Sequence, residues 1–226
     1  MFELTKPENP TRTTIRPSDL TFGLSNCKRC LWLFYWFKLE LPKTMPLVAP
    51  LSALQEKRFR NADLQTLHPS LPRGVINRYG MKVMSKRIIV DDVETRWSIA
   101  GKYDLLASNE DGTATLIDCK VSSREDDQGQ HYSPQLEAYV FALENPLEGL
   151  PQKVSNIGLL KWKPDRVLEV DGSYAFAVTQ VYEPVERNLI GFERLLFECI
   201  AMLEGPLPEP GEKCALCKYL NLLREL

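Results

Sequence analysis

Asp104, Asp118 and Lys120 are the residues whose types and spacing suggest chemistry. They lie in the stretch 101–122, GKYDLLASNEDGTATLIDCKVS. Asp104 interrupts an apolar run, while Asp118 and Lys120 bracket Cys119. In a strand, where residues i and i+2 share a face, the Asp118 and Lys120 side chains point the same way. Two carboxylates and an amine converging at the ends of paired strands are costly to bury without a partner, and a divalent cation is a suitable one. Taken alone, the same three residues could equally form an ion pair on a solvated sheet face.

The elements that must position them are legible in the same stretch. Tyr103, Leu105 and Ala107 alternate before a turn cluster, and Thr113, Thr115, Ile117 and Cys119 alternate after it. The cluster, Asn109 to Gly112, ends in Asp-Gly, a strong hairpin signal. Ala114, Leu116, Ile117 and Val121 make the second strand apolar on both faces, which predicts an internal position in a sheet. Charges on such a strand favour a site over a solvated edge.

Three motifs in order make the sequence similar to the PD-(D/E)XK nuclease superfamily, in its RecB-like branch. They are Gly101-Lys102-Tyr103-Asp104, then Leu116-Ile117-Asp118-Cys119-Lys120, then Gln135-Leu136-Glu137-Ala138-Tyr139. The resemblance implies an α/β fold, a restriction-endonuclease-like mixed β-sheet flanked by helices. It implies a Mg²⁺- or Mn²⁺-dependent deoxyribonuclease, exonuclease-like, working on single strands or ends of DNA. Asp104, Asp118 and the backbone carbonyl of Cys119 would hold the hard cation, which takes oxygen ligands. Lys120 would orient the attacking water or offset charge on the phosphorane, and Gln135 and Tyr139, one helical turn apart, would touch the substrate strand. Members of the branch often add an upstream ligand, for which Glu56 and His68 are the candidates here.

The cysteines form a second constellation. Cys27-Lys28-Arg29-Cys30 and Cys214-Ala215-Leu216-Cys217 are two Cys-x-x-Cys pairs near opposite ends of the chain. If the termini meet, they complete a four-thiolate site for zinc or an iron–sulfur cluster. Some RecB-like enzymes, CRISPR-associated exonucleases among them, carry an iron–sulfur cluster on one N-terminal and three C-terminal cysteines. That resemblance favours [4Fe–4S], and the two-plus-two arrangement keeps zinc as the alternative. Cys119 and Cys199 read as core residues. A competing reading of the whole chain is a non-catalytic nucleic-acid-binding or assembly module with a four-cysteine zinc site.

Composition is that of an ordinary globular protein: 226 residues, 44% hydrophobic, 26% charged, net charge −2. With no net basic charge, a nucleic-acid surface must be a local patch. The two candidates are Arg73, Arg78, Lys82, Lys86 and Arg87, and Lys161, Lys163 and Arg166 around Trp162. No run reaches the ~20 apolar residues of a membrane span, and the start lacks the apolar core of a signal peptide, which points to the cytoplasm and reduced thiols. Protein partners are open.

The expected organisation is a flexible tail over 1–14 and one domain over 15–226, with 15–38 and 205–226 forming the cysteine region. Helical spacing starts at Pro17 and runs into LWLFYWF, an aromatic run read as core. A proline-rich connector over 39–50 precedes a helix over 51–67, a loose segment over 68–80 and a strand over 81–90. A charged loop over 124–129 would act as a lip over the site, followed by a helix opening at Ser133 or Pro134. Strands over 154–163 and 174–181 flank a turn at Asp171-Gly172. A long helix over 183–203 stops at Gly205-Pro206.

Overall fold

The computed structural model describes residues 5–39, 47–122 and 129–225. Its centre is a mixed sheet. Strand β1 (Thr14–Ile15) pairs in parallel with the start of β5 (Ser98–Asn109), and β2 (Gly74–Met84) pairs antiparallel along it. β3 (Ile89–Val90) and β4 (Val93–Glu94) form a separate two-stranded ribbon. β6 (Ala114–Val121) lies antiparallel to β5 and parallel to β7 (Val154–Val170), and β8 (Ser173–Val185) closes the order. β6 is therefore internal, as its apolar faces predict.

Helices cover both faces. Preceded by a π-turn at Asp19–Gly23, α1 (Leu24–Asn26) is a single turn, and α2 (Lys28–Phe37) follows after a break at Cys27. α3 is Val48–Arg58, α4 Gly129–Glu144, α5 Leu189–Glu204 and α6 Ala215–Glu225. α4 packs on one sheet face through Leu136, Val140 and Leu143 against Leu106, Leu116 and Leu159. The other face carries Leu105, Ile117, Cys119 and Leu160 beneath Phe59 and Leu64. α2 and α5 share a third cluster in which Trp32, Tyr35 and Trp36 are buried. The aromatic run is core, and Cys199 lies in the same cluster, fully buried.

Several boundaries differ from expectation. The segment 74–80 is strand rather than loose chain: a bulge between Ile76 and Arg78 and Gly80 at φ 58° break its alternation, so its period is not visible in sequence. Glu183 belongs to β8, not to a helix, because the β7–β8 ladder continues to Val185 and α5 waits for Asn188, whose side chain accepts the Gly191 N–H. The ribbon β7–β8 is longer than expected, and its turn at Asp171-Gly172 has both residues at positive φ. α4 opens at Gly129, with Pro134 inside it, because the Glu183 carboxylate accepts the Gly129 N–H. The first helix breaks at Cys27, which is extended (φ −167°) and caps α2.

Residues 5–13 run beside α2. Lys6 Nζ sits 4.0 Å over the Trp36 ring and donates to the Gly205 carbonyl at 3.0 Å, and Thr11 Oγ1 donates to the Tyr35 carbonyl. The expected lip falls almost entirely on residues 123–128, outside the described residues.

Candidate active site

β5 and β6 pair from Ser108/Ala114 to Leu105/Ile117 and no further. At the fork beyond, the Asp104 carboxylate accepts the Cys119 N–H at 2.7 Å, taking the role that a backbone carbonyl of β5 plays further down the ladder. A strand residue directs its N–H and C=O to the same side, so the Cys119 carbonyl also faces this fork. Asp118 and Lys120, on either side of Cys119, project from the α4 face, and Lys120 Nζ lies 2.5 Å from Asp118 Oδ2. The three residues expected to meet are together.

α4 completes the group. Gln135 Nε2 donates to Asp118 Oδ1 at 2.9 Å, and Tyr139 Oη donates to the Lys102 carbonyl at 2.7 Å. Both helix residues are buried, and each ties α4 to a strand end: Gln135 to β6, Tyr139 to β5. The Tyr132 ring lies 4.7 Å from Lys120 Nζ.

The electrostatics of the group are set by two buried carboxylates and one lysine. Burial, then the neighbouring Asp118 charge, pushes Asp104 up to about 7, against the Cys119 N–H and Lys120, which pull it down. For Lys120, burial works to lower the pKa, but Asp118 and Asp104 outweigh it and the ammonium is strengthened. Asp118 is 4% exposed, and its Oδ2, though ion-paired with Lys120, has no partner with hydrogen-bond geometry. Two neighbouring buried carboxylates share one lysine ammonium, which leaves negative charge that a divalent cation would offset. The donor set therefore fits a hard divalent cation.

Of the two upstream candidates, Glu56 faces this group. Its charge raises Asp104, and its Oε2 lies 3.6 Å from Lys102 Nζ. Gly80 makes the room: a Cβ there would be 2.8 Å from Glu56 Oε2. His68 instead bonds Ser70 Oγ through Nδ1 at 2.7 Å and tilts against the Tyr182 ring; no described contact joins it to Asp104 or Asp118.

Sequence reasoning missed three supporting residues. Gln55 is fully buried, donates to the Leu160 carbonyl at 2.7 Å and so pins α3, which carries Glu56. Lys161, paired in register with Lys120, is 5% exposed and forms an ion pair with Glu183, which also holds the start of α4. Gln55 next to Glu56 was the one available signal. Lys161 was expected in a basic surface patch, but it is buried and spent on Glu183; nothing marked that pairing, because it depends on strand register.

A family model of the PD-(D/E)XK nuclease superfamily matches residues 35–222. This chain belongs to that superfamily. The match embraces both the strand fork and the second cysteine pair, and the nuclease superfamily is one whose members usually hydrolyse phosphodiesters with divalent metals. No curated protein matches the sequence. Among solved structures, the crystal structure of SSO0001 has a TM-score of 0.51 and 16% identity, over 88% of this chain and 80% of that one, a likeness of fold.

Away from the fork, the four cysteines expected to meet do so: Cys27, Cys30, Cys214 and Cys217 have sulfurs all within 4.8 Å of one another. Each pair sits at a helix start, α2 for the first and α6 for the second. Burial works to raise the Cys27 thiol, but the amides of Cys30 and Gly211, with the Cys30 and Cys217 thiols, outweigh it and bring it down to about 7. Burial and the neighbouring cysteines push Cys30 and Cys217 the other way, and four thiols this close form a group able to hold a soft metal. No helix among the described residues is long and apolar enough to cross a membrane.

Proposed function

We propose that this superfamily member is a Mg²⁺- or Mn²⁺-dependent deoxyribonuclease of the RecB-like branch, acting on single strands or ends of DNA. The observation that carries the catalytic reading is Asp118: buried, with one oxygen held by Gln135 and the other ion-paired with Lys120, beside the second buried carboxylate, Asp104, at a strand fork. Asp104, Asp118 and the Cys119 carbonyl are the groups that would hold the cation, with Glu56 preferred over His68 as the further ligand.

When bound, such an ion polarises the phosphoryl oxygen and acidifies its water. The chain's own residues do the rest. Gln135 fixes the Asp118 carboxylate in one orientation, and the Cys119 amide does the same for Asp104. Lys120, held cationic by the two aspartates, supplies positive charge where the pentavalent phosphorus becomes more negative. Tyr139 and Gln135, expected to touch the substrate strand, are buried and give their polar atoms to the Lys102 carbonyl and to Asp118 instead.

Basic residues flank the fork on both sides. Lys82 and Lys102 are directly paired on β2 and β5. Lys163 and Arg166 continue on β7 from Lys161, which is the register partner of Lys120. These four suit a phosphate backbone crossing the sheet end, with Lys102 shared by Glu56 at 3.6 Å and Arg166 by Asp165. In the first basic stretch, Arg78 is engaged by Gln152 and Arg87 by Glu94, so they contribute less.

The test is cleavage of end-labelled single- and double-stranded DNA with Mg²⁺, Mn²⁺ or neither, comparing wild type with Asp118→Ala and Lys120→Ala. Metal-dependent cleavage lost in both variants, with DNA binding retained, supports the reading. Cleavage that survives Lys120→Ala, or wild-type binding with no cleavage under any metal, overturns it in favour of a binding module.

A further inference from the structure

We propose that the four thiolates hold a single zinc ion and not the iron–sulfur cluster that the resemblance implies. Sulfur spacing decides between them. Cys30 Sγ lies 3.6 Å from Cys214 Sγ and 3.7 Å from Cys217 Sγ, and Cys27 Sγ lies 3.7 Å from Cys217 Sγ. The remaining separations stay within 4.8 Å.

A tetrahedral ion with Zn–S bonds of about 2.3 Å places its four sulfurs about 3.8 Å apart. In a [4Fe–4S] cube each thiolate binds a different iron and points outward from its corner. Its four cysteine sulfurs therefore stand about 6 Å apart. A [2Fe–2S] centre brings two sulfurs together on each iron but separates the two pairs by a similar distance. A set in which every separation is below 4.8 Å matches neither cluster and leaves room at its centre for one ion. The distances are also far too long for disulfides, whose S–S bond is about 2.05 Å.

The surroundings hold that spacing from both sides. Cys27 is extended at the N-cap of α2, which turns its sulfur back over Cys30. Its Sγ receives the Cys30 and Gly211 amides, and a Cβ on Gly211 would stand 3.1 Å from that sulfur. Across the clasp, Trp32 Nε1 donates to the Gly205 carbonyl and Arg29 to the Pro208 carbonyl, both at 3.2 Å. Cys27 and Cys217 are buried and all four positions are filled by protein, the pattern of a closed structural site. Zinc also outranks ferrous iron in affinity for a given donor set and has no geometric preference to oppose this one. The assignment is independent of whether the fork cleaves DNA.

The deciding measurement is metal and acid-labile sulfide content of the full chain, purified without oxygen from cells supplied with both iron and zinc. One zinc per chain, no sulfide and no visible absorption are expected. Replacing zinc with Co²⁺ in the same wild-type protein should give the visible bands of a tetrahedral tetrathiolate cobalt site. Cys30→Ala should lose most of its zinc; because that variant also loosens the clasp, the cobalt spectrum of wild type is the reading that does not depend on its folding. Iron in place of zinc, with or without sulfide, or a chain that retains no metal, overturns the assignment.

Discussion

A methyl group on Gly101 would stand 2.8 Å from the Tyr139 ring. That closeness explains why the first motif starts with glycine: β5 passes directly under α4, and Tyr139 reaches across it to the Lys102 carbonyl. The same helix presents Gln135 to Asp118, so the space at Gly101 sets the height of α4 above the carboxylates. Gly101→Ala, which would also press on Pro17, is expected to destabilise the protein by about 1–3 kcal/mol. Cleavage should fall further than stability accounts for at a temperature where the variant remains folded. Urea denaturation alongside a cleavage time course checks this.

Gln135 acts on the reaction through Asp118. Replacing it with Leu keeps the apolar contacts of α4 but frees an oxygen of a buried carboxylate. We expect cleavage to drop on the order of 10- to 100-fold, with apparent Mg²⁺ affinity weakened in parallel and DNA binding unchanged. Metal titration of the cleavage rate separates this from a role in holding DNA, for which KM would rise at saturating metal.

Lys120 and Lys161 are register neighbours with different expected roles. Lys161→Ala leaves Glu183 buried without its cation and should cost about 3 kcal/mol or more in stability, an effect visible with no substrate present. Lys120→Ala should cost less stability and remove cleavage by about 1,000-fold or more. Thermal melts and cleavage rates on the two variants should therefore rank them in opposite order.

Asp104 gives the metal-free protein a pH dependence of definite sign. Its pKa, about 7 in the fold, lies above that of an unfolded aspartate, so the native chain holds the extra proton over the interval between them. This contribution is full at low pH and is lost as pH rises through about 7. Asp104→Asn keeps an oxygen for the Cys119 amide and removes the charge. Without added Mg²⁺ or Mn²⁺ at pH 8, that variant should be more stable than wild type by about 1–3 kcal/mol, with the difference shrinking at pH 4 and cleavage absent. Denaturant melts at the two pH values read out the difference.

Much of this centre could be read along the chain. The side chains of Asp118 and Lys120 share a face because a strand alternates, and Asp-Gly between two alternating runs makes a hairpin; both are local rules, and the β5–β6 pair follows them. Two matched Cys-x-x-Cys pairs at opposite ends likewise declared that the termini meet. The spacing between their sulfurs was not declared, since motif resemblance favoured a large cluster and only the meeting of the two cysteine pairs in the fold brings all four within reach of one ion.

Tertiary structure alone decided three things. Asp104 faces Cys119 because the β5–β6 ladder ends one residue before it, and the end of a ladder is a property of two strands and their neighbours. Glu183 became part of β8, holding Lys161 and the start of α4, because thirteen paired positions along β7 outweighed the helical pattern that follows it. Glu56 has its place because β2 passes it at Gly80, a backbone conformation at positive φ with no Cβ that leaves no periodic trace. Alternation and spacing act within a few residues and so are written in the chain, whereas register, strand ends and sulfur separations arise from contacts between segments tens to hundreds of residues apart.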